Sequence, residues 1–104
     1  MPNQPFEYHP EAIIEAHQAF HWYADRSEQA ADRFWNELIR ARELVTDRPQ
    51  GWTPYFHGTR VFQFRKYPYG LVYVERPEKI IGLAVCHFRR RPGYWRDRLD
   101  DPVE

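Results

Sequence analysis

RVFQFRKYPYGLVYVERPEKIIGLAVCHF, residues 60–88, holds three apolar runs parted by two short turn-forming segments. From Arg60 to Lys66 the side chains alternate, Phe62 and Phe64 to one face, Val61, Gln63 and Arg65 to the other, which is the period of a strand. Tyr67, Pro68, Tyr69 and Gly70 make a turn into a second run, Leu71 to Glu75. Arg76, Pro77, Glu78 and Lys79 turn the chain again into Ile80 to Phe88. Strands joined by such short connections are antiparallel neighbours, so this stretch predicts a three-stranded meander. One face of that sheet then needs an apolar cover from elsewhere in the chain.

The cover lies upstream. Phe6 to His9 reads as a short extended piece, and Pro10 suits the first position of a helix, where its missing N–H is no loss. From Pro10 to about Asp25, Ile13, Ala16 or His17, Phe20 and Ala24 recur at helical spacing and predict the packing face of a first helix. Ser27 is a strong N-cap for a second helix, with Glu28 favourable to the dipole of its first turn. Ala31, Phe34, Leu38, Ala41 and Val45 mark its buried face until Pro49 and Gly51 stop it. Residues 49–59 form a turn-rich connector into the sheet. The expected architecture is α+β in one domain spanning 1–104: an N-terminal helical hairpin packed on a small antiparallel β-sheet. Arg96 to Glu104 reads as a frayed tail.

The formal net charge is zero, but it is unevenly spread. Between Arg60 and Arg98 there are ten basic residues against three acidic ones, whereas Met1 to Arg48 carries nine acids against five arginines. Such polarity suits an anionic partner on one side and a basic one on the other. The single Cys86 has no intramolecular disulfide partner and sits in an apolar run, so a reduced, buried thiol and a cytoplasmic location are expected. No stretch is apolar over the roughly 18 to 20 residues a membrane-spanning helix needs, and no membrane partner is expected. Neither a glycine-rich phosphate loop nor a Gly-x-Ser-x-Gly elbow is present, which disfavours nucleotide hydrolysis and serine esterase chemistry. His17 and His21, with Asp25 a turn further on, have a spacing that can bind zinc. A polar helix face explains them better, and neither metal nor cofactor is expected. His9 and His57 fall near element ends, as caps or exposed side chains.

Several ordered features together resemble the RelE/ParE superfamily of bacterial type II toxin-antitoxin toxins. They are Trp22 and Tyr23 in the helix pair, Gly58, Thr59 and Arg60 before the first long strand, and Tyr67, Pro68 and Tyr69 at the hairpin. A last strand with Val85, Cys86 and His87 then empties into Arg90, Arg91 and Pro92. The resemblance implies a small toxin neutralised by a cognate antitoxin. It implies one of two targets, messenger RNA cut on the ribosome or DNA gyrase inhibited without catalysis. The RNA-cutting branch implies catalytic roles for His87, Arg65 and Tyr94, and nucleic-acid contacts from Arg60, Arg89, Arg90, Arg91 and Trp95. Where the best-known ribosomal cutters place lysines on the first long strand, this chain has Phe62, Gln63 and Phe64.

The chemistry of these side chains allows each role. Metal-free RNA cleavage needs a base for the 2′-hydroxyl, an acid for the leaving oxygen and positive charge on the phosphate. His87 can serve as acid or base, arginines can hold a phosphate bidentately, and Tyr94 or Trp95 can stack a splayed base. Structural roles compete: His87 as a strand-end cap, Arg60 and Arg65 paired with Glu75, the Arg89 to Arg91 run clamping acidic helices or the antitoxin, Tyr94 pinning the tail. On this reading a ribosome-dependent endoribonuclease toxin comes first, ahead of a gyrase inhibitor and a non-toxic remnant that only binds antitoxin.

Overall fold

The structure is a computed structural model, and it describes residues 4–103. Two helices and five strands follow in the order β1 (Phe6–Tyr8), α1 (Pro10–Ala24), α2 (Glu28–Asp47), β2 (Thr53–Pro54), β3 (Arg60–Gln63), β4 (Tyr69–Glu75) and β5 (Ile80–His87). The helix boundaries arise from local chemistry. His9 caps α1 by accepting from the Glu11 N–H through Nδ1 at 3.0 Å, with Pro10 at the first turn. Ser27 caps α2 by accepting from the Ala30 N–H at 3.2 Å.

The sheet order is β1-β5-β4-β3-β2. The expected meander is its centre, with β3, β4 and β5 antiparallel in sequence order. Two corrections concern its edges. The sheet is mixed rather than antiparallel, because β1 pairs in parallel with β5, Phe6 opposite Ile80 and Tyr8 opposite Gly82. At the other edge β2 adds to β3. The first long strand also stops at Gln63, since Lys66 takes a positive φ of 64° and turns the chain early. Gly82 admits β1: a Cβ there would meet Phe6 Cζ and Tyr8 Cδ1 at 2.8 Å. Leu83 has no partner on β4, and this bulge between the Val72–Ala84 and Tyr73–Gly82 pairs shifts the facing of the side chains beyond it.

Both faces of the sheet are covered. The inner core joins Phe34, Leu38, Ala41 and Val45 of α2 to Phe62, Leu71, Tyr73, Ile80 and Val85. The α2 stripe read from the sequence is the stripe that is buried. For α1 the expected face is displaced: Ala12, Glu15, Ala16 and Ala19 are buried, while Ile13 remains 46% exposed. Small side chains let α1 lie close on β5, and the larger ones are left to flank α2. The outer face, Val61, Val72, Val74, Ile81, Ala84 and Cys86, is covered by Trp95 with Tyr55, Tyr94, Leu99 and Val103. The C-terminal stretch is therefore a packed element with a 3-10 turn at Arg96–Asp100, not the frayed tail expected up to Val103; Glu104 lies outside the described residues. Burying an aromatic and two aliphatic side chains on an apolar sheet face outweighs the entropy of ordering the segment.

Candidate functional site

The end of β5 and the C-terminal half of α1 enclose a cleft of about 510 Å³. Trp22, Tyr23 and Tyr69 wall it, and His87, Arg89 and Arg90 form its basic side. Glu15 lies at its base, 8% exposed, and each of its carboxylate oxygens is engaged. Oε1 accepts from the Val85 N–H at 3.0 Å and from Arg98 at 2.8 Å. Oε2 accepts from the Tyr94 hydroxyl at 2.6 Å, from Arg98 at 3.0 Å and from Arg90 at 3.1 Å. The backbone explains the position. β1 spans only three residues, so β5 past Gly82 has no strand on that side. Glu15 takes up the free N–H of Val85, and Arg98 donates to the free carbonyl of Leu83 at 3.0 Å.

This hub sets the electrostatics. Burial first, and then the hydrogen bond to Glu15, push the Tyr94 hydroxyl far above the ordinary tyrosine range, so it stays protonated. Burial lowers the Arg98 value, but the bonds and charge of Glu15 outweigh it and hold the guanidinium above its ordinary value. His87 accepts the Arg89 N–H on Nδ1 at 3.0 Å and packs edge-on against Tyr69, ring centroids 4.9 Å apart. With Nδ1 accepting, the neutral ring carries its proton on Nε2, so that nitrogen is a donor.

The residues singled out from the sequence are dispersed. His87, Arg89 and Arg90 line one cleft, and Tyr94 reaches that cleft's Glu15. Arg65 does not join them. It lines a separate cavity with Arg33, Glu37, Lys66 and Tyr67, where its N–H donates to Glu37 at 2.6 Å. Arg60 donates to the Trp52 carbonyl at 2.7 Å and so ties β3 to the connector; neither it nor Arg65 pairs with Glu75, which accepts from Gln50. Trp95 is 1% exposed inside the outer core, so its face cannot stack a base. Arg91 is exposed. The sequence reading missed Glu15 and Arg98, and it named Trp22 and Tyr69 as family features without placing them at the site. The signal for Glu15 was a lone carboxylate among alanines at positions 12, 16 and 19, a packing face on which an unpaired charge would be costly.

Alkaline titration reports this packing. Burial pushes Tyr8 and Tyr73 up to about 12 and the Cys86 thiol up to about 11, and Tyr94 rises further. In the unfolded chain the tyrosines ionise at 10.0 and the thiol at 9.0, so the unfolded state sheds protons first. Stability is therefore full below about pH 9 and falls as the pH rises towards about 12. Urea midpoints taken from about pH 8 to about pH 11 should decline, and Tyr94→Phe should make the decline shallower.

The sequence matches the "ParE toxin of type II toxin-antitoxin system, parDE" family over residues 6–92. The chain belongs to the ParE toxin family. A chain of the "Chromosomal ParDE TA system from P. aeruginosa" has the same fold, with a TM-score of 0.72 at 13% sequence identity, covering 81% of this chain and 95% of that one. No curated protein matches the sequence. The ParE-family span takes in the sheet, both helices, His87 and the Arg89 to Arg91 run, and it ends at Pro92, just before the segment that covers the outer face. Among the described residues no helix is long and apolar enough to cross a membrane.

Proposed function

We propose that this toxin acts by binding DNA gyrase, without a catalytic site, and that a cognate antitoxin neutralises it. The observation that carries this reading is the Glu15 hub. Tyr94 is held there as a protonated donor, and Arg90 and Arg98 both bond the carboxylate. Arg65 stands in another cavity, and Nδ1 of His87 is occupied by the Arg89 N–H. Phosphodiester cleavage needs a base and an acid at one phosphate beside positive charge; Arg89 supplies charge at the His87 cleft, but with Tyr94 tied to Glu15 no acid-base pair is assembled there. The family match to ParE toxins, rather than to RNA-cutting relatives, supports the same side. For the antitoxin, the groove between α1 and α2 offers an apolar surface: about 750 Å³, with Ile13 and Ile39 nearly half exposed beside Trp35.

The test pairs a variant with two labels. The toxin is induced without antitoxin, and thymidine and methionine incorporation are followed in the first minutes. Thymidine should fall first, His87→Ala should retain toxicity within about twofold, and purified toxin should block gyrase supercoiling. An early loss of methionine that His87→Ala abolishes, the roughly 10²- to 10⁴-fold effect of removing an acid-base group, would overturn the proposal in favour of mRNA cleavage. No fall in either label would leave an inert antitoxin-binding chain.

A further inference from the structure

Residues 93–103 follow the family-matched span and lie across the outer face of the sheet. Their attachment differs in kind from that of the strands. Every backbone-to-backbone hydrogen bond they make, among the described residues, stays within positions 91–101: Tyr94 N–H to Arg91, Arg96 to Gly93, Arg98 to Trp95, Asp101 to Arg98. They add no rung to the ladder. What holds them is side-chain chemistry and the burial of Trp95. Arg98 and Tyr94 bond Glu15, and Nε2 of His9 bonds Asp101 at 2.8 Å. Arg76 donates to the Leu99 carbonyl at 2.9 Å, and Lys79 donates to that of Val103. Gly93, at φ 84°, gives the segment a turn at its root that other residues rarely adopt.

A segment held only through side chains can leave without breaking secondary structure, which is the condition for local opening below the global unfolding free energy. We propose that residues 93–103 form a strap hinged at Gly93 that opens while helices and sheet stay folded, with Glu15 as its latch. Opening takes Arg98 and Tyr94 from Glu15 and leaves Arg90 as its sole charged partner at the His87 cleft. It uncovers Val61, Val74, Ile81 and Cys86 in the same step. One carboxylate thereby couples the charge of the cleft to the accessibility of the opposite sheet face, and anything favouring one state at either surface shifts the other by the same factor.

The chain carries its own reporter, because Cys86 is its only cysteine, 4% exposed beneath the strap. The full-length protein is treated with an aromatic disulfide reagent across a urea series below the unfolding transition, while far-ultraviolet circular dichroism follows global unfolding. Labelling should depend on urea more shallowly than global unfolding does. Arg98→Gln should speed labelling without urea by about tenfold or more, as loss of a charged hydrogen-bonded pair implies, with helix content unchanged. Asp101→Ala removes a half-exposed anchor on His9 and should speed labelling by about threefold, with helix content by circular dichroism showing that the α1 cap is intact. A urea dependence equal to that of global unfolding in all three proteins would show that Cys86 is reached only when the whole chain unfolds, and would overturn the strap. Shallow dependence with unchanged rates in both variants would overturn the latch.

Discussion

Phe34→Ala lowers the unfolding free energy by about 3–5 kcal/mol, the range for truncating a fully buried aromatic residue. Phe34 is 0% exposed and sits at the centre of an aromatic cluster. Its ring stacks on Tyr23 at 5.4 Å and meets Tyr67, Tyr69 and Phe64 at 5.5, 5.3 and 5.7 Å. Those neighbours come from α1, from the β3–β4 turn and from β4, so no single element can move in to fill the space. The Tyr67 hydroxyl is anchored on the Ala30 carbonyl at 2.9 Å, which limits collapse further. Urea unfolding monitored by circular dichroism measures the loss. Phe56→Ala is the control, since that ring is 49% exposed and its removal should stay within about 0.5 kcal/mol. A Phe34 loss as small as the control's would mean that the helix pair does not close on the sheet through this cluster.

Glu15→Ala should cost a comparable amount, about 3–5 kcal/mol, for a different reason. Beyond the volume it removes, the substitution strands what the carboxylate held. Arg98, 13% exposed, keeps its charge without a counter-ion, and the Tyr94 hydroxyl and the Val85 N–H lose their acceptors. Leaving a buried charge unpaired costs more than an intact pair contributes, so deletion of one partner overstates the pair. Tyr94→Phe removes one hydrogen bond of the same hub and should cost about 1 kcal/mol. A series in which Glu15→Ala and Tyr94→Phe are equally mild would show that the hub is solvated rather than buried.

The two residues also mark where sequence reasoning succeeds and where it fails. Phe34 was identifiable from the sequence. It lies in the stripe Ala31, Phe34, Leu38, Ala41 and Val45, and a stripe at helical spacing is encoded within a few turns of one helix. The Ser27 cap, the Pro10 start, the two sheet turns and the buried Cys86 are local in the same sense, as is the alternation that made residues 60–88 a sheet. The ordered features from Trp22 to Pro92 were sufficient to indicate the superfamily, and the family match bears this out.

The α1 face was not legible because Ile13 and Phe20 at one spacing and Ala12, Ala16 and Ala19 at another both satisfy a helical period; the second was chosen by how closely α1 must approach β5. The candidate site was legible only in part, since His87 and the arginine run could be placed at the end of a strand but their partners could not. Thus the chain by itself determined its helices, the central meander, the buried thiol and the superfamily. Tertiary structure alone decided that β1 runs parallel beside β5, that Trp95 is core, that Arg65 and His87 stand apart, and that Glu15 gathers Arg90, Tyr94 and Arg98 across 75 to 83 positions. The physical reason is one of range. Periodicity, caps and turns are settled among neighbours in the chain, whereas one acid has many arginines within its chemical reach and only packing brings particular ones to it.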